Sequence, residues 1–189
     1  MAVLTYAIGG LAALAGLGLL TTVYYYNRIV KLENRVDNAW AQIDVQLKKR
    51  ADLVPNLVET VEGYMDHERE VMEKVSESRE KLVNAQSPEE EAKAGNQMTE
   101  AMKSIFAVAE EYPDLKASEN FKELQQELSS IEGKVAYARQ HYNDAILEFN
   151  NSIETFPAVV FANLMGKTEK DQLQIDTADK ELPDVSFGE

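Results

Sequence analysis

Cysteine is absent from all 189 residues. No disulfide can form, and thiolate catalysis, cysteine-type zinc sites and iron–sulfur ligation are excluded. Histidine occurs only twice. His67-Glu68 opens like a metalloprotease motif, but Val71 stands where the second ligand would fall. His141 is remote in the chain, so each histidine reads as a solvated or capping side chain rather than a ligand. The Glu-x-x-His pairs of di-iron bundles are missing too, because Tyr64 and Ala138 hold the positions three before each histidine. No glycine-rich loop could cradle a phosphate, and no serine or threonine stands with His and Asp in a recognisable catalytic pattern. The 33 carboxylates fall mostly on polar helix faces, where a solvated role is the default. The sequence therefore reads as non-enzymatic, with no catalytic residue, no metal and no cofactor.

Charge is also absent where it matters most. Ala2 to Asn27 carries no Asp, Glu, Lys or Arg, and all 19 basic and 33 acidic side chains lie from Arg28 onward. A run of that length exceeds the roughly 20 residues a helix needs to cross a bilayer core. Residues 1–27 are expected to be a transmembrane anchor. Tyr6 near one end and Tyr24, Tyr25 and Tyr26 at the other lie about 27 Å apart along a helix and suit aromatic belts at the two interfaces. Arg28, Lys31 and Arg35 follow at once, which by the positive-inside rule places the body in the cytoplasm and the N-terminus outside. A cleaved signal peptide would need a basic n-region, and nothing basic precedes the apolar run. The expected location is a cell (inner or cytoplasmic) membrane, crossed once. Gly9, Ala12, Ala13 and Gly16 put small residues three and four apart, a spacing that lets two membrane helices approach closely, although glycine and alanine are common in such helices anyway.

The net charge is −14, all of it in the body. Arg28 to Asp52 holds six basic and four acidic residues, so the acid excess lies beyond it. A polyanion of this kind repels phosphates, which argues against a nucleic-acid partner. The basic stretch lies nearest the anionic leaflet, and the rest reads as a solvated acidic surface.

From Arg28 the apolar residues recur at helical spacing, with no alternating stretch to suggest strands. Ile29, Leu32, Val36, Trp40, Ile43 and Leu47 form one stripe, with Trp40 reading as a core residue. Near Asp52 and Pro55 two readings stand: Asp52 caps a new helix with Pro55 in its first turn, or one helix runs through and loses only the bond to Ala51. The capping residue favours the break. Ser87-Pro88-Glu89-Glu90 reads as a capping box, opening a helix that ends near Tyr112-Pro113. A series from Phe121 through Phe149 and Ile153 to Phe156 continues a 3-4 spacing for about five heptads, typical of left-handed helix packing. Asn56, Asn143 and Asn150 border the apolar faces, as register-setting amides or equally as surface residues. Pro157 stops the series, and Ala158 to Met165 reaches Gly166, a natural C-cap. The expected fold is all-α: one transmembrane helix, then an up-and-down bundle of long helices over residues 28–166. Residues 167–189, acidic and polar, read as a mobile tail.

Three segments, AWAQIDVQLKKRADLVPNLVETVEGYMDHE (39–68), EEYPDLKASENFKELQQEL (110–128) and ARQHYNDAILEFNNSIETFP (138–157), resemble the LemA family. The resemblance implies a mostly cytoplasmic, antiparallel four-helix bundle and no catalytic residues, so none are carried over. Relatives associated with magnetosome membranes imply, by analogy, a role in shaping or organising membrane. The acidic end after Gly166 departs from the aromatic-containing end of the family pattern. The leading expectation is a non-enzymatic, membrane-anchored helical scaffold that forms homo-oligomers. An adaptor presenting clients to a membrane protease or quality-control complex, and an enzyme with a carboxylate site between helices, are the alternatives. If the helix runs straight through Pro55, the helix after Ser87 is too short to reach the membrane end. Leu32, Val36, Trp40, Ile43 and Leu47 would then lack a partner in their own chain and offer a self-association face, next to Gly9, Ala12, Ala13 and Gly16.

Overall fold

The computed structural model describes residues 2–65 and 68–173. Its first element, α1 (Ala2–Glu62), is one helix of 61 residues, about 90 Å long at 1.5 Å per residue. The expected break at Asp52 is therefore corrected. Pro55 lies inside α1 and cannot donate to the carbonyl of Ala51, a residue that is fully enclosed. Arg79 Nε, from the next helix, donates to that carbonyl at 2.9 Å instead. A buried acceptor left without a donor costs about 1–3 kcal/mol, so the borrowed donor lets the helix continue where the local sequence favours a cap.

Five further helices follow: α2 (Arg69–Asn84), α3 (Pro88–Ala109), α4 (Pro113–Ala117), α5 (Glu119–Glu154) and α6 (Ala158–Leu164). Ser87 caps α3, its hydroxyl accepting from the Glu90 N–H at 3.2 Å. The returning carboxylate of Glu90 accepts from Gln86 N–H at 2.9 Å rather than from the cap residue itself. Ser118 precedes α5 without a side-chain cap bond. Gly166 takes φ 64°, and Gly166 and Lys167 donate back to Asn163 and Ala162 at 3.1 and 3.0 Å. That pattern is a Schellman ending, which needs a residue tolerant of the left-handed region.

α5 runs antiparallel to α1. Arg50 meets Glu132, Trp40 meets Tyr142 and Arg35 meets Glu148, so the two helices keep one register from Glu132 to Glu148. α2 and α3 fold as a hairpin over the far part of α1, giving a four-helix core from Ile43, Leu47, Val54 and Leu57 to Met98, Ile105, Leu128 and Val135. Phe106 meets Phe121 edge-on at 6.0 Å near its end. The 16 residues of α2 reach only about 24 Å, so the hairpin stops short of the apolar end. There α5 and α6 alone cover α1, with Ile29, Leu32, Val36 and Ala39 packed on Ala145, Ile146, Phe149, Ile153 and Ala162. Leu32, Val36, Ile43 and Leu47 are buried in the chain's own core and Trp40 is half-buried. The helix does run through Pro55, yet the exposed face expected in that case does not arise, because α5 is long enough to cover what α3 cannot.

The seam ends earlier than its spacing suggests. Phe149 and Ile153 are buried, but Phe156 is 84% exposed, since α5 ends at Glu154, two residues before it.

Candidate membrane interface

The apolar half of α1 stands clear of the rest of the molecule. It is the one helix among the described residues long and apolar enough to cross a membrane, and its most apolar stretch is wholly uncovered. Polar groups inside it are satisfied within the helix: Thr21 and Thr22 hydroxyls donate to the Leu17 and Gly18 carbonyls at 2.7 and 2.8 Å. Such self-sufficiency is what an apolar solvent demands of a polar side chain. Ala12 and Ala13 are exposed, and a Cβ added at Gly9 or Gly16 would meet nothing within 4 Å. Tyr6 is likewise exposed.

At the other end of the apolar run the side chains are held more tightly. Tyr24 meets Tyr25 edge-on at 5.0 Å, and Tyr25 stacks on Phe161 of α6 at 5.5 Å. Tyr26, Arg28 and Lys31 are exposed. Arg35 is spent on an ion pair with Glu148, and Glu33 holds Lys167 at 2.6 Å. The basic flank thus offers Arg28 and Lys31 outward, while Arg35 belongs to the α1–α5 seam. Its sequence position alone could not reveal that.

The segment after Gly166 is the second departure from expectation. Lys167 to Leu173 lies back along α5 in extended form, held by two asparagines. Asn150 donates to the Lys170 carbonyl at 2.9 Å and accepts from its N–H at 3.0 Å. Asn143 does the same for Leu173, at 2.9 and 2.8 Å. The spacing explains the fit. Seven residues of helix rise about 10.5 Å, and three residues of extended chain span about 10 Å. Lys170 Nζ also lies 5.8 Å from the Phe149 ring centre. These seven residues form a strap rather than a free tail. Residues 174–189 lie outside the described residues.

A buried polar centre ties the helices together midway. Arg50 is fully enclosed. Its Nη1 donates to Gly95 O at 3.2 Å and to Thr99 Oγ1 at 2.7 Å, while Nη2 lies 2.9 Å from the Glu132 carboxylate. Nε is buried without an acceptor. Burial pulls the Arg50 pKa down, Glu132 opposes that, and Arg139 adds to it. An arginine nonetheless keeps its charge, so the centre acts as a cross-brace of α1, α3 and α5. Gly95 permits the approach: a Cβ there would sit 3.0 Å from Leu47 Cδ2. A groove of about 670 Å³ beside it is lined by Thr99, Lys103, Phe106, Gln125, Ser129 and Glu132. Sequence reasoning missed this centre, since Arg50 enters that reasoning only as one of the six basic residues from Arg28 to Asp52. The one signal was position: Arg50 continues the 3-4 stripe past Ile43 and Leu47. His141 is exposed and His67 lies outside the described residues. Among the described residues no three His, Cys, Asp or Glu side chains converge as metal ligands.

The LemA family profile matches residues 39–187. The chain is 29% identical over 134 residues to Protein LemA of Metamycoplasma hominis, an alignment covering 69% of this chain and 60% of that protein. The chain thus spans less than two thirds of that relative's length. With the profile covering most of the chain and an all-helical bundle beneath it, this chain belongs to the LemA family.

Proposed function

We propose that this chain is a non-enzymatic, membrane-anchored helical scaffold at the cytoplasmic face, which self-associates and organises membrane around it. The observation that carries the reading is the continuity of α1. Its first half has the length and apolarity of an anchor, and its second half is a core helix of the bundle. No loop separates the two, so the body is held at a set height and angle to the bilayer. A swivelling linker would serve a tethered enzyme as well, whereas a rigid stalk suits a part whose position is its function. Arg28 and Lys31 beside an uncharged run support the cytoplasmic side for the body.

An adaptor for a membrane protease or quality-control complex is the second reading, and one observation favours it. Asn143 and Asn150 grip an extended segment by its backbone, a mode indifferent to side-chain identity. Proximity labelling in cells tests the pair. A scaffold labels chiefly its own copies and membrane-shaping factors, and an adaptor labels a protease with its clients. Labelling of soluble proteins alone would reject both.

A further inference from the structure

Val160 and Leu164 stand four apart on α6, and Phe156 precedes them at the α5–α6 corner. Phe156, Val160 and Leu164 are 84%, 48% and 81% exposed, while the opposite side of α6, Ala158 and Ala162, is buried. The height of this face along α1 follows from the contacts of α5 and α6 with it. Running the register on from Arg35 and Glu148 brings the last residue of α5, Glu154, level with Ile29. Phe161 stacks on Tyr25 and Lys167 reaches Glu33, so α6 lies beside α1 and points the same way. Val160 is therefore level with Tyr24 and Tyr25, and Leu164 with Arg28 and Ile29. Packed helices stand about 8–10 Å apart. A bilayer edge placed at Tyr24–Tyr26 must meet these side chains as well.

We infer that the α5–α6 corner is a second membrane contact, with Phe156, Val160 and Leu164 seated in the headgroup and acyl boundary of the leaflet that α1 enters. The proposal rests on α1 being a membrane anchor. Three features fit the boundary rather than the hydrocarbon: exposed Asn163 on α6, exposed Arg28 level with Leu164, and exposed Lys31 nearly a turn further on, the two cations favouring anionic headgroups. A short apolar face rimmed by polar groups is how interfacial segments lie. The contact would add a second point of attachment, which stops the body from rotating about the axis of α1.

Because the chain has no cysteine, single labelling sites can be introduced into the full-length protein. Leu14→Cys, Phe156→Cys, Leu164→Cys and Lys122→Cys would each carry an environment-sensitive fluorophore, in vesicles of phosphatidylcholine and phosphatidylglycerol. Phe156 and Leu164 are so exposed that the label replaces solvent, and either alone suffices if the other variant loses helicity. The expected result is loss of emission with deep spin-labelled lipid at Leu14, loss with shallow spin-labelled lipid at the corner, and aqueous emission at Lys122. Corner probes that stay aqueous and iodide-quenched, with Leu14 in lipid, would overturn the corner contact and leave the anchor standing. A Leu14 probe outside the lipid removes the anchor reading and this proposal with it. Equal quenching at Lys122 would mean the body lies on the bilayer indiscriminately, which also overturns it.

Discussion

Arg79 shows how one side chain can decide the course of a helix. Its Nε supplies the Ala51 carbonyl with the donor that Pro55 cannot. Arg79→Met should cost about 1–3 kcal/mol, the penalty for a buried acceptor left unpaired. In a Pro55→Ala background the backbone N–H returns, so the same Arg79 change should cost much less. Urea midpoints of the four proteins in the cycle measure the coupling, and additive effects would show that Arg79 is not the substitute donor. The proline was legible in the sequence and its remedy was not. Twenty-eight residues separate donor and acceptor, and a capping rule sees only neighbours.

Within α5 the same heptad spacing serves two purposes. On one face it buries Phe149, only 1% exposed. Phe149→Ala should destabilise the body by about 3–5 kcal/mol, whereas Glu123→Ala on the exposed face should stay within about 0.5 kcal/mol. Equal urea midpoints would refute that assignment of faces. On another face it sets Asn143 and Asn150 to hold the strap. Replacing both with alanine should speed amide exchange at Lys170 and Leu173 several-fold, since each N–H loses its acceptor. Unchanged exchange there would mean the strap is held by Lys167 and Glu33 instead. The asparagines could be singled out from sequence because they border an apolar series. Their partner could not, since a polar acidic stretch has no periodicity to announce that it docks.

For the whole molecule, an uncovered apolar helix is rigidly joined to a closed bundle. The α1 stripe from Leu32 to Leu47 is covered by its own chain, so the self-association we propose would rest on residues 2–27. Light scattering in mild detergent should find the full-length protein oligomeric, and a chain starting at Arg28 monomeric. A full-length monomer at micromolar concentration would sink the assembling form of the scaffold. An oligomer that survives the truncation would place the contact on the body. Topology is a separate test: protease added to intact spheroplasts should leave everything after Arg28 untouched, and digestion would reverse the orientation.

Local physics determined most of the elements, the continuity of α1 past Asp52 excepted. Hydropathy marked the apolar half of α1, periodicity marked the core faces of the helices, and Ser87, Pro157 and Gly166 marked their ends, because each signal is complete within a few turns of chain. Tertiary structure decided what those elements do with one another. The partner of Pro55's lost bond lies on another helix, the cover of the α1 stripe comes from α5 and α6, and Arg50 finds its carboxylate on α5. Phe156 shares the seam's spacing yet faces outward. Periodicity gives the face a residue would occupy on a helix, but only the packed molecule determines where the helix stops and what meets that face.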